Sequence, residues 1–495
     1  MKPKAIKLAK ISGFALAAVL MIFFLTQLFT PAWTGNWDYR KSFESFYKLE
    51  KDSVDVLAIG ASYGGAAVDS YQLYEEHGYS AYNLFSVHQT MVGHYYWAKE
   101  AFKRQHPKIL LLETSYMKHE KSQHNENIRK SYDCMHWGLN KLMYAKALRE
   151  ADELSSRFLS YLFPLYLYHT RWSELDERDY EIILGDVATA TRGFAMRIGR
   201  YGTEAEPYAG ITPDPAAAGI SSDNNRSYLK KIIQLCRENG TEPVLYTTCT
   251  SSWSPGAHNA ISEIADQYEV AYIDLNDSAL MKELGLDYAA DVTEDAHINY
   301  FGAKKVTAYL GNYLSEHYEI PDLRTDTAAS AEFEAGLPGY HYEQEKAERL
   351  FVTDPAEYFA ETIDPRYVVI AAGNGFSEDL SEGQKAQLRT LGLSESVIGS
   401  DWKNSCYLVM IGAGSDAEQV EESDEETYLS LYDTLESGDT CQITVSPSKT
   451  SVKIKEQEYA VSPGTLNIVL YDTALGETAD NIALSTSGGQ FVITR

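Results

Sequence analysis

The sequence predicts an α/β protein: a three-layer parallel sheet with helices on both faces, an apolar helix before it and a β-sandwich-like domain after it. Three observations carry this. Short apolar runs alternate with helix-period segments between residues 34 and 324. An apolar run fills residues 11–30. After Pro321 the pattern changes to short apolar runs separated by turns. At 495 residues the chain is long enough for two folded units, and its 44% hydrophobic and 23% charged content is that of a globular protein.

The first element is an anchor. Lys2, Lys4, Lys7 and Lys10 precede the run Ile11–Thr30, in which Gln27 is the one strongly polar side chain. Twenty helical residues span about 30 Å, the thickness of a bilayer's hydrocarbon core. Lysines before the span place the N-terminus in the cytoplasm and the remaining chain outside. Pro31 and Trp33 crowd the position where a small-x-small cleavage site would stand, which favours an uncleaved anchor over a signal peptide. The expectation is a single-pass cell-membrane protein, with residues 1–33 as cytoplasmic stub and anchor and the domain that follows extracellular.

Residues 34–324 follow. Val54–Ile59, Ile109–Leu112, Pro243–Tyr246 and Val270–Ile273 read as buried strands. Gly93–Gln105, Ser227–Asn239, Ala257–Tyr268 and Tyr300–His317 read as helices between them. That alternation implies a parallel sheet. Residues 128–194 are longer and aromatic, and read as a helical insertion beside the sheet. Thr325–Gly339 is rich in Ala, Thr, Gly and acid, so 325–350 reads as a linker. Residues 351–495 read as β-rich, with strands at Tyr367–Ala371, Tyr407–Ile411, Cys441–Val445, Thr465–Val469 and Gln490–Thr494 and a helix at Gln384–Leu391; the acidic run Glu418–Glu426 reads as a loop.

Composition narrows the function. A net charge of −28 argues against nucleic acid, or an anionic polymer, as partner over most of the surface. Five cysteines, Cys134, Cys236, Cys249, Cys406 and Cys441, lack metal-ligand spacing, so neither metal nor cofactor is expected. Cys406 and Cys441 are one pair able to bridge strands; free thiols are the expectation for the rest. The 36 tyrosines are suited to packing on strands and, in part, to stacking on sugars.

Two motifs carry chemistry. In Asp55-Val-Leu-Ala-Ile-Gly60-Ala-Ser62-Tyr63-Gly64-Gly65 a strand runs into small residues and a serine. A serine at the carboxyl end of such a strand lies where α/β sheets bind ligands, and helix-start amides there can hold an oxyanion. An N-cap in a glycine-rich turn is the structural reading of the same residues. In Thr293-Glu294-Asp295-Ala296-His297-Ile-Asn299 a histidine stands just before a long helix, and a serine hydroxyl needs such a base. Glu294 and Asp295 are both in reach to orient His297.

The turn Gly60-Ala-Ser62 and the acid-x-x-His motif resemble those of the SGNH/GDSL hydrolases, whose fold is a flavodoxin-like three-layer sheet. The resemblance is to a membrane-anchored, Gram-positive branch similar to teichoic-acid D-alanylation and alginate acetylation proteins. It runs from the anchor to Arg324 and includes Tyr82-Asn83, Gln89, Tyr168-His169-Thr-Arg171-Trp172, Gly302-Ala303 and Pro321-Asp322. It implies Ser62 as nucleophile, His297 as base, and an acid at Glu294, where the family has aspartate, with Asp295 as the alternative. The family's oxyanion glycine falls near His88 and its asparagine near Ser115–Tyr116, so the His88 amide and the side chains of Asn83 or Gln89 are the oxyanion candidates. Residues 365–495, best at Ser462–Asp472, resemble the interleukin-like EMT-inducer domain, which also forms a sugar-binding glycosyltransferase stem.

The functional expectation is an extracytoplasmic serine esterase or O-acyltransferase acting on ester-linked acyl groups of a cell-wall polysaccharide or exopolysaccharide. The alternative is a non-catalytic polysaccharide-binding surface protein with a degenerate hydrolase domain.

Overall fold

The computed structural model describes the chain apart from residues 1–2, 34–36, 121–125, 186–190, 200–207, 363, 374, 377–378, 392–394, 400–407, 412–427, 447 and 463–464. The chain divides into two compact units, residues 1–341 and 342–495.

The first unit opens on helix α1 (Pro3–Phe29), in which Lys10–Phe29 is long and apolar enough to cross a membrane. Its sheet has five parallel strands: β1 (Val56–Gly60), β2 (Ala81–Phe85), β3 (Ile109–Glu113), β4 (Glu242–Thr247) and β5 (Ala271–Asp274), in the order β2-β1-β3-β4-β5. Alternate residues of a strand face opposite sides, and both sides are packed. Leu57, Ile59, Leu110, Leu112 and Leu245 face α2 (Tyr39–Lys48) and the helices Leu139–Glu150, Asp223–Glu238 and Pro255–Tyr268. Val56, Ala58, Ile109, Leu111 and Val244 face α3 (Ser62–Ala67), α4 (Ser70–His77) and the helix Tyr300–His317. Burial on both faces explains why these strands read as continuous apolar runs rather than alternating ones.

Two expectations are corrected here. The sheet contains β2, which the sequence reading passed over because Ala81-Tyr-Asn-Leu-Phe85 is short and broken by an asparagine. The stretch read as a linker contains the helix Ala331–Arg349. Within the first unit Phe333 and Tyr340 of this helix pack against Tyr71 and Tyr74, and Tyr340 Oη donates to Asp69 Oδ2 at 2.7 Å. The spacing of Phe333, Leu337 and Tyr340 is a helical stripe, hidden in the sequence by Gly336, Pro338 and Gly339.

The second unit has two antiparallel sheets. The strands are β6 (Tyr367–Gly373), β7 (Leu408–Ile411), β8 (Leu429–Thr434), β9 (Thr440–Ser446), β10 (Lys449–Ile454), β11 (Gln457–Glu458), β12 (Leu466–Asp472), β13 (Glu477–Ser487) and β14 (Gln490–Thr494). One sheet runs β14-β13-β12-β6-β7 and the other β11-β10-β9-β8. Ile370, Ala372 and Val469 of the first sheet pack on Cys441, Ile443, Val445 and Val452 of the second. The outer face, through Val369, Ala371 and Ile468, is covered by Tyr358, Phe359 and Leu388 from two helices, Pro355–Glu361 and Glu382–Thr390. Cys441 is a buried thiol; its possible partner Cys406 and the acidic run 418–426 lie outside the described residues.

Candidate active site

In the order β2-β1-β3 the chain leaves β1 to one side and returns on the other, and the carboxyl end of β1 is the place where such sheets leave a crevice. The crevice here is a cavity of about 610 Å³. It is lined by residues that follow β1 (Ala61, Ser62, Tyr63), β2 (Val87, His88) and β3 (Ser115, Tyr116, Lys118), together with Arg197, Asp295 and His297.

Ser62 stands at the first position of α3, directly after β1. The tight approach of β1 and α3 to β3 depends on glycine. A Cβ at Gly60 would lie 2.7 Å from Glu113 Cβ, and one at Gly64 would lie 2.8 Å from it. The Ser62 hydroxyl is thus presented at the cavity floor although the residue is only 4% exposed.

His297 comes from the far end of the domain. Its Nε2 lies 2.8 Å from Ser62 Oγ. Its Nδ1 faces two acceptors, Asp295 Oδ1 at 3.0 Å and the Asp295 carbonyl at 3.1 Å. Two acceptors around Nδ1 place the proton there and leave Nε2 free to accept one from the serine. The ring stacks on Tyr63, with centroids 4.7 Å apart. The loop is pinned by the Val292–Ile298 bridge and by Thr293 N donating to the His297 carbonyl at 2.7 Å. Ala296 adopts φ +63°, a left-handed conformation that costs an alanine energy. That residue turns the chain so that the acid two positions before His297 folds back on it.

Of the two candidate acids, Asp295 is therefore the one that meets the His297 ring. Glu294 is exposed and lines a neighbouring groove with Met196, Arg197 and Gly199. Asp295 Oδ1 also accepts from Thr293 Oγ1 at 2.5 Å, and Arg197 lies 3.8 Å from Oδ2. Partial burial alone would raise the Asp295 pKa, but Thr293, His297 and Arg197 together hold it below the usual carboxylate range. The side chain is nonetheless half exposed. Burial lowers the His297 pKa; Asp295 opposes that and Arg197 adds to it, so the ring stays below the ordinary histidine range.

Two of the three oxyanion candidates lie elsewhere. Asn83 is fully buried, and its Nδ2 donates to the carbonyls of Gly64 at 3.1 Å and Val68 at 3.3 Å. It braces α3 from below. Gln89 is buried, and its Oε1 accepts from Ser131 Oγ at 2.7 Å. His88 does line the cavity, with φ +50°.

The sequence reading missed Glu113 and the cationic rim. Glu113 ends β3 behind the serine turn, fully buried, and accepts from Ser115 N at 2.8 Å and Ser115 Oγ at 2.9 Å. Burial pushes its pKa up to about 7. An acid closing an apolar strand was the available signal. Lys118, Lys130 and Arg197 line the cavity with His88 and His119, and among the described residues Asp295 is the one acid lining it. Burial holds both lysines below the ordinary range, and it lowers His119, with help from Lys118 and His88, to about 4. The site is locally cationic in a chain of net charge −28.

No protein-family model matches the sequence and a search of curated proteins returns no match, so the functional reading stands on this geometry.

Proposed function

We propose that the first unit is an SGNH-type serine esterase or O-acyltransferase working through an acyl-enzyme on Ser62. The observation that carries the reading is the 2.8 Å approach of His297 Nε2 to Ser62 Oγ, with Asp295 on the other ring nitrogen. Ser62 Oγ attacks the ester carbonyl carbon while its proton passes to Nε2. The tetrahedral intermediate collapses: the bond from carbonyl carbon to alkoxy oxygen breaks, and Nε2–H protonates that oxygen. Water or a sugar hydroxyl then attacks the acyl-serine, giving its proton to Nε2, and the proton returns to Ser62 Oγ as the acyl group leaves. Water gives hydrolysis and a sugar hydroxyl gives transfer.

The amide of Ser62, at a helix start where no intrahelical partner exists, and that of His88 are the oxyanion donors in this reading. The cationic rim adds a field that favours the developing negative charge. It also favours a substrate bearing an anionic group, despite the acidity of the rest of the chain.

The substrate is an acyl ester on a cell-surface glycan, α1 is an uncleaved anchor with its N-terminus in the cytoplasm, and the second unit is a sugar-binding module. A degenerate, non-catalytic domain is disfavoured by a serine and histidine within hydrogen-bond distance in a lined cavity. Full-length protein in detergent should hydrolyse p-nitrophenyl acetate, and Ser62→Ala should abolish turnover. Equal rates in wild type and Ser62→Ala would defeat the enzyme reading.

A further inference from the structure

Helix α1 does not stand free along its whole apolar length. Between Ile11 and Phe24 its large side chains are exposed, Phe14 by 78% and Met21 by 64%, whereas Thr26, Leu28 and Thr30 are buried. Its last turn is gripped by two arginines. Arg40 donates to the carbonyls of Thr30 and Gln27, the latter at 2.8 Å, and Arg171 donates to the Phe29 carbonyl at 2.9 Å. These are carbonyls that a helix end leaves without intrahelical partners. Trp33, just beyond, packs edge-on against Tyr168, with centroids 6.1 Å apart.

The free stretch Ile11–Phe24 is fourteen residues. At helical rise it spans about 21 Å, against about 30 Å of hydrocarbon in a bilayer. The deficit of about 9 Å is the length of Leu25–Thr30, the part enclosed by protein.

Part of the enclosing protein is itself apolar on its outer side. Leu159, Phe163, Tyr166, Leu167 and Trp172 are exposed by between 41% and 71%. They lie on the short helices Phe158–Leu162 and Leu165–Tyr168, at Phe163 between them, and on the turn His169–Ser173; the second helix and the turn pack against α1. Residues 154–173 contain Arg157, His169 and Arg171 and no acid, in a chain with 71 acidic residues. Large apolar side chains exposed together along one short segment mark an interaction site.

We propose that residues 158–172 form a membrane-embedded platform, sunk into the surface of the same bilayer that α1 crosses. This rests on the reading of α1 as an anchor. Interfacial helices typically bury their apolar face about 5–10 Å deep, which closes the deficit in α1. Tryptophan and tyrosine suit that depth, and an acid-free segment bearing the exposed Arg157 suits anionic headgroups. The platform fixes the height of the active site. Tyr39 lines the catalytic cavity, and its neighbour Arg40 holds the end of α1. Ser62 therefore works on acyl esters presented at the membrane surface rather than far out in the wall.

The test uses full-length protein in vesicles of phosphatidylcholine and phosphatidylglycerol, in a Cys406→Ser background. An environment-sensitive fluorophore is attached at Leu167→Cys, with Trp172→Cys as a second platform site. Leu16→Cys reports the anchor and Leu475→Cys an aqueous surface. Brominated acyl chains should quench the labels at 167 and 172 several-fold, as they quench the label at 16, while iodide quenches only the label at 475. Labels at 167 and 172 that follow 475, or that are shielded from both quenchers by protein, overturn the platform whatever the label at 16 does. A label at 16 untouched by brominated lipid overturns the anchor reading instead.

Discussion

His258 and His297 each meet an aspartate through Nδ1 in the same domain, yet the two pairs are built differently. His258 Nδ1 lies 2.7 Å from Asp274 Oδ2, and that carboxylate is buried and also accepts from Trp253 Nε1 at 2.8 Å and from Asn276 N and Nδ2 at 3.0 Å. Its acceptor sites are saturated, and it ties the end of β5 to the loop and helix that follow β4. Asp295 is half exposed, and its histidine has a serine at Nε2 and a cavity in front of it. A histidine–carboxylate pair is a strut when its acid is saturated and buried; a serine and open space at the other ring nitrogen leave the His297 ring placed to accept a proton.

Mutations can break that comparison. The largest effect belongs to Ser62→Ala and His297→Ala, each expected to lower kcat/KM for a chromogenic ester by at least about 10³-fold with unchanged melting temperature. Next is Asp295→Asn. A buried triad acid is worth about 10⁴ in kcat; Asp295 is half exposed and the His297 ring is also held by stacking on Tyr63 and by a backbone carbonyl, so a smaller loss of about 10–10² is expected. Asp274→Asn should show the opposite pattern. It should cost about 1–3 kcal/mol of stability by disturbing a buried hydrogen-bond set, read in a denaturant melt, and leave kcat/KM unchanged below the transition. Glu294→Gln should change neither.

The pH profile sharpens the same contrast. His297 must be neutral to accept the serine proton, and burial lowers its pKa from 6.5. Activity should therefore rise with pH along a limb whose midpoint lies below 6.5. Asp295 raises the ring's pKa, so Asp295→Asn should move that midpoint to still lower pH. A midpoint moving upward would show that some other group is titrating.

The sheet was largely legible because strands buried on both faces leave continuous apolar runs. Ser62 was legible because a buried strand cannot run into Gly-Ala-Ser-Tyr-Gly-Gly without a sharp turn at its end. The choice between Glu294 and Asp295 was not legible. It is made by the left-handed Ala296, a position where no glycine or asparagine announces the turn. Asn83 and Gln89 looked like oxyanion donors because the resemblance calls for an asparagine near Ser115–Tyr116, where none stands. Asn83 Nδ2 instead meets the Gly64 carbonyl of α3, and Gln89 Oε1 the Ser131 hydroxyl, a demand of burial that local sequence does not display. The cationic rim escaped notice because Lys118, Lys130 and Arg197 are distant in sequence and submerged in an acidic chain.

If Ser62 is a nucleophile activated by His297, a fluorophosphonate will capture it in the full-length protein, and peptide mass spectrometry will map the adduct. One phosphonylated site is expected, Ser62, with labelling slowed by orders of magnitude in His297→Ala and unaffected in His258→Ala. Labelling at another residue, or labelling of Ser62 equally fast without His297, would contradict it.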